Sequence, residues 1–410
     1  MKSIDNAASL AQTILNRACA LYNLQRKSQG VMASQPAGFD INDAVSYHYD
    51  RFPPLIDDFS RLLKPLARAS AALARYDQML KGMHSSDILL APLRSQEAVV
   101  SSRMEGTVST LDEVLRYEAD QEEDEDTAKR SYRSEAVEVF LYSRAMKAAQ
   151  ASVKEGAPIS AWMIRSAHSV LLGFGRGANM SPGQFKTDQN YLADKIRRKI
   201  LFVPISPERL PEGLEKLFTF MNDDNWEILL RTAVAHLEFE ALHPFKDGNG
   251  RIGRMIIPLM LWKSGSLSEP YFYVSEYFEN NKNEYIDRMR AVSSHDAWVD
   301  WIVFFLNGLE AQSQKNLQTA EKIRELYEGL KGQFRDTLSS RWNITALDFL
   351  FTRPVFRNNV FTQKSGIPAP TAHKFTRNLL EAGFLQTVEP ASGRRPALYA
   401  FEPLLELVRS

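Results

Sequence analysis

The 410-residue chain contains one cysteine, Cys19, so intrachain disulfides and cysteine-based zinc sites are excluded. It has no excess of charge, because Lys plus Arg and Asp plus Glu each total 50. A zero balance supplies no global field to draw nucleic acid and leaves only a local basic patch for that purpose. No apolar run is long enough to span a membrane, and Met1 to Ala20 lacks the apolar core of a signal peptide. No membrane contact is expected, and the cytoplasm is the expected location. Internal repeats are also missing. What the chain does have is length for two or three domains and a hydrophobic content of 44%, enough for a substantial core.

One segment stands out, His243-Pro-Phe-Lys-Asp-Gly-Asn-Gly-Arg-Ile-Gly-Arg254. It follows a stretch, Leu229 to Leu242, in which Leu230, Ala233, Val234, Leu237 and Ala241 recur at helical spacing. Pro244 ends that helix, and Asp-Gly-Asn-Gly tolerates the tight backbone of a loop. From Arg251 the pattern is helical again through Ile252, Met255, Ile256, Leu259 and Met260. Gly248, Asn249 and Gly250 therefore sit at a helix N-terminus, where free backbone NH groups and the macrodipole favour an anion.

The side chains extend that reading. Arg251 and Arg254 share one face of the first turn, the wrong end of a helix for cations unless something negative compensates them. A di- or triphosphate would do so, since guanidinium forks match phosphate oxygens. Asp247 beside a polyphosphate calls for a bridging divalent cation, and Mg²⁺ is commonly held by one or two carboxylates plus phosphates. His243 has the unperturbed pKa of a general base for an incoming hydroxyl. A lone Gly-Asn-Gly would be an ordinary capped loop. The coincidence of His, Phe, Asp, Gly, Asn, Gly and two arginines argues against that.

The segment matches the His-x-Phe-x-Asp/Glu-Gly-Asn-Gly-Arg-x-x-Arg signature of the Fic family, and the chain resembles its AMP-transferring members. The resemblance implies a protein adenylyltransferase that moves AMP from ATP to a Ser, Thr or Tyr hydroxyl of a target protein and releases pyrophosphate. By position, His243 resembles the base and Asp247 the Mg²⁺ ligand. Gly248, Asn249 and Gly250 resemble the anion hole, Phe245 is expected to be buried beneath the loop, and Arg251 and Arg254 resemble the residues that engage the outer phosphates. The target protein is not identified by the sequence, and self-modification is a further expectation.

Ser101-Ser-Arg-Met-Glu-Gly106 ends a helical run from about Ser95, with Gly106 as its C-terminal cap. Glu105 lies near the negative end of its own helix, which is unfavourable unless a cation meets it. The segment is similar to the family's Ser/Thr-x-x-x-Glu-Gly/Asn inhibitory motif. The resemblance implies that Glu105 pairs with Arg254 and denies it to ATP, with Ser101 helping to hold the inhibitory helix.

Tyr191 to Ile196 and Ile200 to Val203 flank a short basic turn and read as a hairpin. In the family, a hairpin at this place pairs with the target backbone by strand addition. Further along, Tyr271 to Phe278 is aromatic, and Tyr277 is the residue chosen for adenine contact. Trp298 and Trp301 are assigned to the core.

The expected architecture is mainly α, a Fic helical core with a small β-hairpin flap and a C-terminal winged-helix domain. Residues 1–38 read as a helix near Ala7 to Gln25 and a polar linker, and 39–150 as a helical region carrying the inhibitory motif. The catalytic core follows over 151–310, then a connecting helix over 311–342 and the winged-helix-like unit over 343–410. Helices are expected over Asp58 to Leu80 and Asn316 to Phe334, as core or as the interface of a homo-oligomer. The acidic run Asp120 to Asp126 reads as a solvated loop or helix end.

In the C-terminal unit, helices are expected at Ile344 to Phe351, Val360 to Ser365 and Thr371 to Ala382. Strands are expected at Phe384 to Val388 and Ala397 to Phe401. Its basic residues Lys374, Arg377, Arg394 and Arg395 make DNA a weaker expectation than protein docking. Two rival readings compete with the transferase. One is a metal hydrolase built on His236, Glu240 and His243, which lacks the adjacent His-Glu of zinc proteases. The other is a nucleotide-sensing, DNA-binding regulator with little transferase activity.

Overall fold

The computed structural model describes residues 29–32, 38–83, 85–122 and 132–409. The helix expected near Ala7 to Gln25 lies outside them. Gln29–Met32 forms strand β1 and Val45–Ser46 forms β2. The linker reading of Ser28-Gln29-Gly30 is thus corrected in part, because Gln29 and Gly30 are paired in a sheet.

Ser60–Gly82 is α1, whose buried Leu62, Ala69, Leu73, Tyr76 and Leu80 return to one face every three, four or seven residues. Three helices follow: α2 (Ser86–Leu89), α3 (Ala91–Met104) and α4 (Leu111–Gln121). The start of α4 is set by a capping box. Thr110 Oγ1 accepts from Glu113 N and Glu113 Oε2 accepts from Thr110 N, an arrangement that contributes about 1 kcal/mol. Ser134–Lys154 is α5 and Ala161–Leu171 is α6.

The expected hairpin is present as β3 (Tyr191–Asp194) and β4 (Lys199–Val203). It lies inside a four-stranded sheet of order β1-β3-β4-β2, with β1 antiparallel to β3 and β2 parallel to β4. The outer edge of β3 is therefore covered by the chain's own Gln29–Met32.

Leu210–Met221 is α7, and Ile228–Leu242 is α8. Every residue of α8 from Leu229 to Leu242 except Glu240 is buried, the signature of a helix enclosed on all sides. Asn249–Lys263 is α9, followed by α10 (Ser275–Asn280), α11 (Lys282–His295) and α12 (Trp298–Leu338). Trp301 is fully buried and donates from Nε1 to Ala233 O at 2.8 Å, locking α12 onto α8. Along α12 the apolar residues Ile302, Leu309, Ile323 and Leu330 are buried, and α1 lies against this helix. Of the two long helices expected as core or interface, the first packs along α12, and the second, the later part of α12, packs Tyr327 and Phe334 on Phe351 and Phe384 of the C-terminal residues.

The C-terminal residues form α13 (Asn343–Thr352), β5 (Val355–Arg357), α14 (Asn358–Lys364), α15 (Ala369–Glu381), β6 (Gln386–Glu389), β7 (Leu398–Ala400) and α16 (Glu402–Arg409). Three helices and the β6–β7 hairpin agree with the sequence pattern. Strand β5, which completes the antiparallel order β5-β7-β6, and the closing α16 were not anticipated.

The acidic run is corrected where it is described. Asp120 is buried and receives Arg357 Nε at 2.6 Å and Arg395 Nη2 at 2.7 Å, while Glu122 pairs with Arg353 at 3.0 Å. These carboxylates tie α4 to the C-terminal unit, and they engage Arg395, one of the four residues considered for phosphate contact. Lys374, Arg377 and Arg394 are exposed. No helix among the described residues is long and apolar enough to cross a membrane.

Candidate active site

Helix α8 delivers His243 at its C-cap, in the left-handed region with φ of 48° and ψ of 60°. A non-glycine residue pays for that conformation, and such strain persists where surrounding contacts over-determine it. Those contacts are present. Asn190 Nδ2 donates to His243 O at 2.9 Å and to Phe245 O at 3.0 Å. Lys186 Nζ, brought down by burial to a pKa of about 7, donates to Asn190 Oδ1 and to Leu242 O.

His243 Nδ1 lies 3.1 Å from Glu240 O. A carbonyl oxygen only accepts, so Nδ1 carries the hydrogen and Nε2 keeps a lone pair. Nε2 is buried without a hydrogen-bond partner and His243 lines a cavity. Burial, with the nearby Lys186 charge, lowers the imidazole pKa to about 4, so the ring is neutral at neutral pH.

The loop is held by its own side chains. Phe245 is fully buried and stacks on His168, with ring centroids 3.8 Å apart. His168 Nε2 lies 2.9 Å from Asp247 O while its Nδ1 accepts from Gly183 N. Asn249 closes the turn with Oδ1 accepting from Phe245 N and Nδ2 donating to Phe245 O, both at 2.8 Å. Gly248, with φ of 78°, starts α9 in a conformation that favours glycine. Its N–H donates to Asp247 Oδ1 at 2.8 Å.

Arg251 and Arg254 are both buried, and their surroundings differ. Arg251 keeps one contact of 3.6 Å with Asp247 Oδ2, while its Nε and Nη1 are buried without partners. Such unpaired buried donors are costly and call for an acceptor. Arg254 is engaged by α3 and the residue that ends it. It donates from Nε to Ser101 Oγ and from Nη2 to Ser101 O, each at 2.9 Å, and from Nη2 to Glu105 Oε1 at 2.8 Å.

Burial works to raise the Glu105 pKa, but the Arg254 charge and hydrogen bond outweigh it and hold the carboxyl below its ordinary range. The same carboxylate overlies Gly250, where any added Cβ would collide with Oε1. Glu105 thus stands over the helix N-terminus as well as beside the arginine.

The cavity that these residues enclose measures about 140 Å³. That is well below the roughly 300–1,000 Å³ of pockets that take drug-sized ligands. Its walls include Glu105, Glu240, His243, Gly250 and Arg254 and, on the hairpin side, Leu192 and Ala193.

Tyr277 does not line this cavity. Its ring packs against Phe304 and fills the space left by Gly308, because the short α10 turns it toward α12. Tyr285, Ile286 and Met289 of α11 stand at the cavity instead. The metal set considered at His236, Glu240 and His243 is not assembled. His236 lies within hydrogen-bonding distance of Gly253 O through Nδ1 and Tyr285 Oη through Nε2, and no metal-holding cluster of three or more His, Cys, Asp or Glu occurs among the described residues.

Sequence reasoning missed Lys186, Asn190 and His168. The i, i+4 pair Lys186 and Asn190 just before the hairpin was a readable polar signal, whereas His168 on an apolar helix face was not.

Comparison with known proteins finds matches over part of the chain. Residues 63–151 match the Fic/DOC family N-terminal model and residues 158–261 match the Fic/DOC family model. The protein adenylyltransferase fic-1 of Caenorhabditis elegans is 32% identical over 115 residues, 27% of this chain and 21% of that protein. A probable protein adenylyltransferase of Aquifex aeolicus is 27% identical over 116 residues, 28% of this chain and 32% of that protein. The chain thus spans a third or less of these relatives' length. In fold it is similar to a Fic family protein from Desulfovibrio desulfuricans G20, with a TM-score of 0.50 and 18% identity over 85% of this chain and 98% of the other.

Proposed function

Because residues 63–151 and 158–261 match the N-terminal and core models of the Fic/DOC family, we propose that the chain is a protein adenylyltransferase restrained by its own Glu105. The observation that carries this reading is the juxtaposition, within one loop, of the unpartnered His243 Nε2 and the unpartnered Arg251 edge at the N-terminus of α9.

In the reaction, a Ser, Thr or Tyr hydroxyl of the target gives its proton to His243 Nε2 as its oxygen attacks the α phosphorus of ATP. The new P–O bond forms while the bond from the α phosphorus to the bridging oxygen of the β phosphate breaks. Pyrophosphate leaves and AMP stays on the target. A neutral, buried imidazole in a fixed tautomer is prepared to accept that proton. The helix-terminal backbone N–H groups of Asn249 and Gly250 and the free edge of Arg251 are set against negative charge before it arrives, so little reorganisation is needed. Arg254 belongs to the same set once α3 releases it.

Asp247 suits Mg²⁺. It offers a partly exposed carboxylate beside the anion-binding turn, the donor that Mg²⁺ takes together with substrate phosphates. The ion would offset charge on the phosphates. The target backbone is received at the outer edge of β3, next to the cavity wall formed by Leu192 and Ala193, once Gln29–Met32 leaves that edge. Residues 39–150 are the regulatory region, 151–310 the catalytic core, 311–342 a connecting helix and 343–410 a winged-helix docking unit.

The test is incorporation of α-labelled ATP into protein in a cell lysate with Mg²⁺, comparing wild type, Glu105→Gly and Glu105→Gly with His243→Ala. Strong labelling by Glu105→Gly alone is expected, including any label on the chain itself. No labelling by three folded variants would replace this reading with a nucleotide-sensing regulator.

A further inference from the structure

A second cavity, of about 310 Å³, opens away from the catalytic loop between the first turn of α3, helices α4 and α5, and the segment that joins α13 to β5. Its volume lies at the lower end of pockets that take small molecules. Three cations, Arg94, Lys147 and Arg353, and three carboxylates, Asp87, Glu118 and Glu122, line it, and the cations are not equally compensated. Arg353 is paired with Glu122 at 3.0 Å. Lys147 is only loosely met by Glu118, at 3.9 Å. Arg94 has no carboxylate within ion-pair distance among the described residues, and its guanidinium rests over the Tyr271 ring, 5.6 Å from the centroid.

Two polar atoms in the wall also lack partners. Arg94 Nε is buried and makes no hydrogen bond. Ser143 is 5% exposed, and its Oγ is likewise buried and unpaired. A helical serine usually returns its hydroxyl to a carbonyl of the preceding turn, so an unpaired one at a polar cavity is an open donor and acceptor. Burial lowers the Lys147 pKa, Glu118 opposes it, and Arg94 and Arg353 lower it further, with Glu122 opposing. An oxyanion beside Arg94 would meet the one lining cation that no carboxylate pairs among the described residues.

We propose that this cavity is a binding site for the phosphate group of a small phosphorylated metabolite, held by Arg94 and Ser143 with Lys147 at the mouth. A guanidinium fork and a hydroxyl suit phosphate oxygens, and Lys147 supplies the second positive charge. The site is separate from the catalytic anion hole and does not depend on the transferase reading. It shares α3 with that site. Arg94 and Ser95 of the first turn face the second cavity, while Ser101 and Glu105, at the other end, meet Arg254.

The test is equilibrium dialysis of radiolabelled inorganic phosphate against the full chain, with wild type, Arg94→Gln, Ser143→Ala and Arg251→Gln compared. Saturable binding in the millimolar range is expected for wild type. Arg94→Gln and Ser143→Ala should each weaken it about tenfold or more, whereas Arg251→Gln leaves it in place. Ser143→Ala removes only the hydroxyl oxygen and decides the matter if Arg94→Gln does not fold. Absence of saturable binding by wild type overturns the proposal. So does binding that Ser143→Ala leaves unchanged, or that Arg251→Gln alone removes, which would place the phosphate in the catalytic loop.

Discussion

Arg254 and Ser101 are joined twice, through Nε to the serine hydroxyl and through Nη2 to its carbonyl oxygen, each at 2.9 Å. The arginine is thereby aimed at Glu105 by the backbone of the helix that carries Glu105. Ser101 is fully buried, so water cannot replace its hydroxyl at little cost.

Ser101→Ala removes one of these two bonds and leaves the carbonyl in place. AMP incorporation should rise roughly two- to tenfold over wild type, as expected for one net hydrogen bond. Glu105→Gly, which also clears the space above Gly250, should exceed it. Incorporation rates at fixed ATP rank the two, and a Ser101→Ala rate equal to wild type would remove Ser101 from the restraint.

His243→Ala in the Glu105→Gly background should reduce transfer by about 10²–10⁴-fold while ATP affinity stays within about threefold. The imidazole makes one bond to Glu240 O and presents only Nε2 to the cavity, so it contributes to proton transfer rather than to holding phosphates. Parallel titration calorimetry and rate measurement check this. An affinity loss as large as the rate loss would reassign His243 to nucleotide binding.

Strand β1 covers the edge of β3, in the register Gly30 with Ala193 and Val31 with Leu192. A target strand must displace it. Proline has no N–H for a ladder bond, so Gly30→Pro or Val31→Pro, whichever position donates to β3, should free the edge. Labelling of protein targets by Glu105→Gly should increase severalfold with no change in ATP affinity. Equal labelling by both proline variants and their parent would show that targets dock elsewhere.

Burial pushes the Glu240 carboxyl up to about 8 from an ordinary value of 4.5, with Arg254 opposing. Below pH 4.5 both folded and unfolded chains are protonated there and nothing is lost. Between about pH 4.5 and 8 the unfolded chain releases the proton while the folded chain keeps it, so this group lowers stability as pH rises. Glu240→Gln cannot titrate, and its Tm advantage over wild type should therefore grow from pH 5 to pH 8. Thermal unfolding at the two pH values measures it, and a constant offset would mean that Glu240 is ionised in the fold.

Much of this was readable in advance where local rules act. Pro244, the glycines and the periodicities on either side placed the helix–loop–helix within one or two residues, and two tryptophans were assigned correctly to the core. The pairing of Glu105 with Arg254 joins residues 149 positions apart and followed from the family motif, not from spacing. Partners set by tertiary packing escaped. Asp120 looks like the first of a solvated acidic run until Arg357 and Arg395 arrive from the far end of the chain. Tyr277 and Tyr285 are both aromatic near a helix start, and only the turn from α10 to α11 decides which of them stands at the cavity.

Helix α12 runs without interruption for 41 residues from Trp298, anchored in the catalytic core, to Leu338, beside the C-terminal unit. At 1.5 Å per residue it is a strut of about 60 Å. A hinge at the boundary between the two regions would have let the C-terminal unit search for partners on its own. On the proposed reading, the strut, braced by α1 along its flank, instead gives a partner held at the C-terminal unit a fixed bearing on the His243 cavity. Reach and orientation toward a target would then be properties of the scaffold, set before the target arrives.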